Sequence, residues 1–552
     1  MAVTRKWWKE EVIYQIYPRS FQDSSGDGIG DIEGIISRLD HLQDLGIDII
    51  WICPIYMSPN DDNGYDISDY YDIHPEFGTM ADFDRMLAEV HQRGMRLIMD
   101  LVLNHSSDEH KWFEASRQSK DNPYRDYYIW RPGKNGGPPN NFNSIFGGSA
   151  WEYDEKTEEY YLHLFTRKQP DLNWESEAMR EDVYKIIRYW LDKGIDGFRM
   201  DVIPCISKRL EFEDTDIDDF NRVIEEVYAN GPRVHEFING MYTNVIKNYD
   251  VMTVGEGPGI KPENCLLYIG EERGELDFVF HLEHMFLGHG ALGKFDPVPF
   301  SWRDIKDIIQ KWDDAIADSG WISIFLDNHD FPRMVSRFGN DDAFRVESSK
   351  LLALLILTLR GTPCIYQGSE IGMTNVHFDS IDDYRDVEVF NVQKEYLERG
   401  MSAAEFLTLV HDQGRDNVRT PMQWDESKNG GFSSGTPWLA SNPNHKTINV
   451  KAAIADKQSI YYFYKELLAY RKAHDTLVYG DYKEHQIANS DLYIYSREGE
   501  ESLVVVLNHS DLHQALEMDF ADYSLDLQNQ ENNMEEVLLP WEARLYRKNS
   551  TL

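Results

Sequence analysis

Cysteine is scarce in this chain, cations are outnumbered, and no apolar run is long. Four cysteines in 552 residues (Cys53, Cys205, Cys265 and Cys364) stand far apart, with no C-x-x-C pair. That excludes a disulfide framework and a thiolate zinc site, and it fits a reducing compartment. The longest apolar run, Leu351 to Leu359, stops at Arg360, well short of the roughly 20 residues that span a bilayer. The opening MAVTRKWWKEE has no apolar h-region, so no signal peptide is expected and the cytoplasm is the expected compartment. Lys and Arg number 55 against 96 Asp and Glu, a formal charge of −41. Such a surface repels nucleic acid and anionic membranes, and neither is expected as a partner.

What is present is length, aromatic rings and alternation. A chain of this length divides into two or three domains. Aromatic residues make up 13%, enough for a large core plus a site that stacks on flat apolar faces such as sugar rings. From the start to residue 105 the pattern alternates: strand Val12 to Tyr17, helix Ile36 to Leu45, strand Ile47 to Ile52, helix Met80 to Arg93, strand Arg96 to Leu103. Residues 106–172, rich in Gly, Pro, Asn and aromatics, read as a small inserted domain. Alternation resumes with helix Ser176 to Lys193 and a strand ending at Asp201. Further strands follow at Val251 to Gly255, Leu276 to Phe280, Ile322 to Leu326 and Pro363 to Tyr366, with a helix Ser348 to Arg360 before the last. Eight strand–helix units predict a closed (β/α)8 barrel, an α/β fold whose sites lie at the C-terminal strand ends. The barrel is expected over 1–105 and 173–477, with a loop-rich excursion over about 374–455. Short alternating strands such as DLYIYS predict an antiparallel β domain over 478–552.

The strand GIDGFRMDV, Gly194 to Val202, ends in chemistry. Arg199 and Asp201 are two apart and share one face of the strand. A guanidinium holds a neighbouring carboxylate ionised, which makes Asp201 a candidate nucleophile. Alone, the pair reads first as a structural ion pair, since such pairs also perturb pKa values. Yet the other polar groups at strand ends, Asn104-His105, Glu256 and Asn328-His329-Asp330, fall where a barrel builds its site.

DLVLNH, GFRMDV, VGEGPG and FLDNHD stand in this order at those strand ends. The set resembles the α-amylase superfamily of glycoside hydrolases, family 13. QPDLN (Gln169 to Asn173), GRDNVRTPMQW (Gly414 to Trp424) and DSSGDGIGD (Asp23 to Asp31) resemble its oligo-1,6-glucosidase and α-glucosidase branch. The resemblance implies Asp201 as nucleophile, Glu256 as general acid/base and Asp330 as the third carboxylate. It implies that Arg199 supports Asp201 and that His105 and His329 bind sugar hydroxyls. Asp62 and Arg419 match the pair closing the pocket behind the terminal sugar, which implies exo action, and Tyr65 matches a stacking platform. Phe146, Phe165 and Gln169 match rim positions, for which ordinary domain packing is an equal reading. No cofactor for catalysis is implied. The DSSGDGIGD loop implies a structural Ca2+, with Mg2+ as the alternative, on Asp23, Ser25, Asp27, the Ile29 carbonyl and Asp31; an unmetallated acidic turn is the other reading.

Val202 follows the nucleophile, and in this branch valine there accompanies α-1,6-linked substrates and threonine α-1,4. Pro204-Cys205 and Phe331 depart from the branch pattern on the leaving-group side. The region FHLEHMFLGHG lacks the arginine-rich loop of sucrose isomerases. The expected activity is a retaining, exo-acting α-glucosidase on short oligosaccharides, α-1,6 first. The alternatives are an α-1,4-glucosidase, a sucrose-active hydrolase or isomerase, and a non-catalytic carbohydrate-binding scaffold. Retention of all three carboxylates argues against the last. A monomer or homodimer is expected.

Overall fold

The structure, a computed structural model, describes residues 5–316, 319–485 and 487–549. Eight strands form its centre: β1 Ile13–Ile16, β2 Ile49–Ile52, β3 Arg96–Val102, β4 Gly197–Asp201, β5 Met252–Gly257, β6 Phe278–His281, β7 Ser323–Ile324 and β8 Thr362–Tyr366. They pair in parallel in the order β6-β5-β4-β3-β2-β1-β8-β7. A parallel bridge from Val279 to Ile322 joins the two ends, so the sheet closes. Every residue of β1, β2, β4, β5, β6 and β8 is buried. A strand buried on both faces cannot show period-two polarity, and these read as near-continuous apolar runs.

The helices around it are α1 Ile32–Leu45, α2 Met80–Gln92, α3 Glu177–Lys193, α4 Val234–Asn244, α5 Cys265–Ile269, α6 Trp302–Ile316, α7 Arg345–Thr358 and α8 Ile460–Ala473. Their ends follow sequence signals. The Asp31 side chain caps α1 by accepting from Gly34 N, and Ser176 caps α3 through Met179 N. Thr79 and Asp82 form a capping box on α2. Gly46 and Gly194 end α1 and α3 at φ 105° and 98°, a conformation that glycine adopts without a Cβ penalty. The apolar run at Leu351 is explained by α7, which is buried on all sides from Ser348 to Thr358. It lies between the barrel and the C-terminal sheet, and Thr358 shares a 2.5 Å hydrogen bond with Tyr495 of that sheet.

Between β3 and α3 the chain builds a three-stranded antiparallel sheet in the order Trp130–Arg131, Glu159–Leu162, Trp151–Asp154. Bridges from His105 to Asp171 and from Tyr128 to Leu172 tie its return to its exit. Between β8 and α8 lies an excursion that the sequence reading took as loop-rich. It contains four α-helices, Val387–Glu398, Ala403–Gln413, Asp416–Arg419 and Val450–Ala455. The second carries a capping box, Ser402 with Glu405, a signal present in the sequence and hidden by the surrounding Gly, Asn and Asp. The sequence reading also named no helix between β6 and β7, where α6 stands. The last sheet is antiparallel and five-stranded, in the order Asp481–Glu484, Leu492–Glu498, Ser502–Asn508, Ala543–Lys548, Tyr523–Gln528. No helix among the described residues is long and apolar enough to cross a membrane, and the four cysteines are buried and free.

Candidate active site

Strand register sets the geometry. Arg199 on β4 lies opposite Asp100 on β3 and Val254 on β5. Two residues further along, Asp201 and Glu256 therefore face the same end of the barrel from neighbouring strands. One guanidinium serves all three carboxylates. Arg199 Nη1 donates to Asp201 Oδ1 at 2.5 Å and to Asp100 Oδ1 at 2.7 Å, and Nη2 lies 2.8 Å from Glu256 Oε1. Glu256 has no cation nearby in sequence, yet it meets the same arginine as Asp201. Asp100 is fixed in turn by Trp51 Nε1 at 2.9 Å and the Tyr65 hydroxyl at 3.1 Å.

Three carboxylates around one cation in a dry site leave excess negative charge. Burial pushes the carboxyls of both Asp201 and Glu256 up, against the pull of Arg199. For Glu256 the charge of Asp330 adds to the rise. The two carboxyls thus titrate as a pair that retains a proton. Glu256 Oε2 also accepts the backbone N–H of Val202 at 3.0 Å. Val202 is β-branched and sits at φ 35°, a left-handed conformation costly for such a side chain. The strained turn aims its N–H at the acid.

Asp330 follows β7. Burial opposes its charge, but His329, Arg415 and Arg419 hold it well below the usual carboxylate range. Arg419 Nη2 donates to Asp330 Oδ1 at 2.9 Å, and His329 Nε2 lies 3.0 Å from Oδ2. The direct cation beside Asp62 is Arg415 at 3.3 Å, while Arg419, matched with Asp62 at the pocket end, acts on it through space. Arg419 turns to Asp330 and to the His329 carbonyl at 3.0 Å. The two arginines are four residues apart at the short helix Asp416–Arg419, so they reach the same region. Arg415 also binds Asp386 Oδ1 at 2.5 Å. Asp62 is pushed up to about 7 by burial, with both arginines opposing, and its Oδ2 accepts from Gln169 Nε2 at 3.2 Å.

Burial lowers His105 to about 4, so it is neutral at pH 7. Its Nε2 lies 3.1 Å from the Tyr65 carbonyl and 3.2 Å from Gln169 Nε2. The Tyr65 ring stacks on His329 at 5.2 Å with planes 5° apart. Phe165 contacts His105 at 4.9 Å and Phe146 at 5.6 Å, and the Arg415 guanidinium covers Phe146 at 4.6 Å.

These groups surround a cavity of about 730 Å³. Asp62, Tyr65, His105, Phe146, Phe165, Asp201, Val202, Glu256, His329 and Asp330 line it. Gln169, Arg199 and Arg419 stand behind the wall and act on lining residues. Asp100, Arg415 and Asp386 were not singled out in the sequence, although Asp100 opens DLVLNH and Arg415 lies within GRDNVRTPMQW.

The glycine-turn loop at Asp23 lies apart from this cavity. Asp23 Oδ1 accepts from Gly26 N at 2.7 Å and Oδ2 from Gly28 N at 2.8 Å and Ser433 Oγ at 2.5 Å. Ser25 Oγ donates to Asp23 at 3.2 Å, and Asp27 Oδ1 accepts from Ile29 N at 2.9 Å. Asp31 is committed to the α1 cap and to Ser24. No group of three His, Cys, Asp or Glu suited to a metal occurs among the described residues.

Comparison with known proteins identifies the family. The family described as alpha amylase, catalytic domain, matches residues 15–480. An oligo-1,6-glucosidase of Parageobacillus thermoglucosidasius is 54% identical over 98% of this chain and 99% of its own. An oligo-1,6-glucosidase of Bacillus cereus is 55% identical over 91% of each chain. Among solved structures, the isomaltulose synthase SmuA from Protaminobacter rubrum superposes with a TM-score of 0.96 at 43% identity, covering 99% of this chain and 100% of its own. The chain belongs to the α-amylase family of glycoside hydrolases.

Proposed function

We propose that the protein is an exo-acting, retaining α-glucosidase that removes terminal glucose from short oligosaccharides, with α-1,6 linkages preferred. The observation that carries this reading is one arginine, Arg199, bound to both carboxylates of neighbouring strand ends, Asp201 and Glu256. Adjacent strands are about 4.8 Å apart, close to the roughly 5–5.5 Å carboxyl separation of retaining enzymes and below the roughly 6.5–9.5 Å of inverting ones. Asp201 attacks the anomeric carbon while Glu256 gives its proton to the leaving oxygen. Glu256, now a base, takes a proton from water, which displaces Asp201 from the glucosyl ester. Asp330, anionic between Arg419 and His329, grips the sugar hydroxyls and repels charge on Glu256, which favours its protonated form. Asp62 with Arg415 and Gln169 forms the closed inner end, and His105 and His329 offer hydroxyl contacts.

Proton NMR of isomaltose turnover should give α-glucose before mutarotation. An initial β-glucose signal would sink the assignment of Asp201. A panel of isomaltose, maltose, sucrose, trehalose and panose reads linkage. Appearance of isomaltulose or trehalulose from sucrose would favour the isomerase reading that the synthase relatives raise.

Two further elements belong to this proposal. The protein works in the cytoplasm as a monomer or homodimer. Its Asp23 loop takes calcium in preference to magnesium, a reading that rests on the loop sequence. No catalytic step runs through that ion. A chelator that leaves the melting temperature unchanged would reduce the loop to an acidic turn.

A further inference from the structure

Strand β1 reads IYQI, with an amide set in a fully buried strand. A buried amide costs free energy unless it is bonded. Gln15 stands behind the cavity wall, with no surface open to solvent. Its backbone is clamped on both sides. It pairs with Trp51 on β2 and Tyr366 on β8, and its carbonyl accepts from Gln367 N at 3.1 Å. The side chain therefore starts from a fixed point. Its Nε2 lies 2.8 Å from His329 Nδ1 and donates to Cys53 Sγ at 3.2 Å.

His329 is held in its plane by aromatic rings. Tyr65 stacks on it at 5.2 Å, Tyr17 stacks at 6.2 Å, and Trp51 meets it edge-on at 6.0 Å. Stacking fixes the plane of an imidazole and leaves open which way round the ring lies within it. The ring nitrogens make that choice. Nε2 lies 3.0 Å from Asp330 Oδ2. Against a carboxylate the ring has to donate, so its proton stands on Nε2 and Nδ1 offers a lone pair. Gln15 Nε2 is placed to donate to that lone pair. The two bonds differ in permanence. Asp330 lines the cavity, where sugar hydroxyls compete for it. Gln15 lies beyond the reach of any substrate.

We propose that Gln15 is a positioning residue, whose amide N–H fills His329 Nδ1, keeps the ring proton on Nε2 and aims that N–H at Asp330 and the sugar hydroxyls throughout turnover. Gln15 acts through His329 and touches no substrate. Its effect on turnover rests on the glucosidase reading of the site, whereas the placement of the proton does not.

Nitrogen-15 NMR of histidine-labelled protein reads that placement, with the His329 signals identified by their loss in His329→Gln. The wild type should show a directly bonded proton on Nε2 and none on Nδ1. A proton on Nδ1 overturns the proposal, because the amide oxygen would then face the ring. Gln15→Met keeps the length of the side chain and loses the donor. In that variant the Nδ1 signal should move downfield, as an acceptor without its donor does. On isomaltose its kcat/KM should fall at least about tenfold, the scale of a buried acceptor left unpaired. Most of the loss should lie in kcat, since hydroxyl contacts strengthen in the transition state. In the His329→Gln background the same substitution should change kcat/KM by less than about twofold, because nothing is left to position. Equal losses in the two backgrounds would make Gln15 a packing residue and overturn the proposal. If Gln15→Met does not fold, the wild-type spectrum decides alone. A wild type that turns over neither isomaltose nor p-nitrophenyl α-glucoside overturns the glucosidase reading, and the spectrum still decides what Gln15 gives to His329.

Discussion

The two ends of the one cavity are built on opposite terms. At the inner end each carboxylate has a designated cation: Arg199 for Asp100, Asp201 and Glu256, Arg419 for Asp330, Arg415 for Asp62 and Asp386. At the outer end Lys294 pairs with Glu388 and Arg399 with Glu395, and apolar side chains such as Ile217, Phe220 and Leu292 supply much of the wall. The inner end fixes a single ring by directional bonds, where a missing partner is costly. The outer end sets size and apolarity, where changes are graded. Substitutions at the inner end should thus act as switches, and those at the outer end as dials.

The largest effect should come from the reacting pair. Asp201→Asn should lower kcat on isomaltose by at least about 10⁴-fold, the scale on which loss of a nucleophile acts, and azide should restore turnover as β-glucosyl azide. Glu256→Gln should cost about 10²–10⁴-fold on isomaltose and much less on p-nitrophenyl α-glucoside, whose leaving group needs no proton. Equal losses on both substrates would show that Glu256 is not the acid.

Next is Arg415→Met. It leaves Asp386 and Asp62 buried without their cation, and breaking a buried pair in this way costs about 3–5 kcal/mol. The denaturation midpoint should fall and KM for isomaltose should rise, while Arg415→Lys should recover part of both. An unchanged midpoint would mean that Arg419 alone neutralises this end, and the assignment of Arg415 to Asp62 would lose its basis.

Asp62 sharpens the comparison through pH. Its folded pKa, about 7, is raised above its unfolded value near 3.8 by burial. The sign follows from proton linkage. Its contribution to stability is complete below about pH 4 and is lost as pH rises through about 7. Asp62→Asn does not titrate, so the variant should gain on the wild type between pH 5 and pH 8 in thermal midpoint. A constant gap across that range would mean that Asp62 is ionised throughout, with the arginines outweighing burial.

The parts legible in the sequence are those that local pattern determines. Strand ends were placed to within a few residues because buried parallel strands are apolar runs bounded by turns. Asp201, Glu256 and Asp330 stood out because each falls at or after the end of such a run, and the family resemblance supplied the role expected of each. Asp62 and Arg419 both stand at this end of the pocket, but which acid each of two arginines four residues apart turns to, Arg415 to Asp62 and Arg419 to Asp330, is not written in the sequence. The sharing of Arg199 between Asp201 and Glu256 depends on the register of β4 against β5, which no local pattern records. The helices at Val387 and Ala403 were missed, although Ser402 and Glu405 marked the second one. The outer end of the cavity draws on segments far apart in the chain, so only the fold assembles it.

The smallest effect belongs to the residue between the two regions. Val202 lines the cavity beside Asp201, and its N–H donates to Glu256. Val202→Thr keeps the β-branch, so the strain at φ 35° and the N–H bond persist, and only one methyl becomes a hydroxyl. The machinery of the inner end is untouched. The change falls on the wall facing the leaving group, where it alters how a methylene or a ring hydroxyl is received. A difference of that size in a binding wall is worth roughly 1–3 kcal/mol between competing substrates. The ratio of kcat/KM for isomaltose over maltose should therefore fall by about tenfold in Val202→Thr, with kcat on p-nitrophenyl α-glucoside within about threefold of wild type. A drop in both substrates and in p-nitrophenyl release alike would place Val202 with the inner end, as a support for the Glu256 bond, and would remove it from linkage choice.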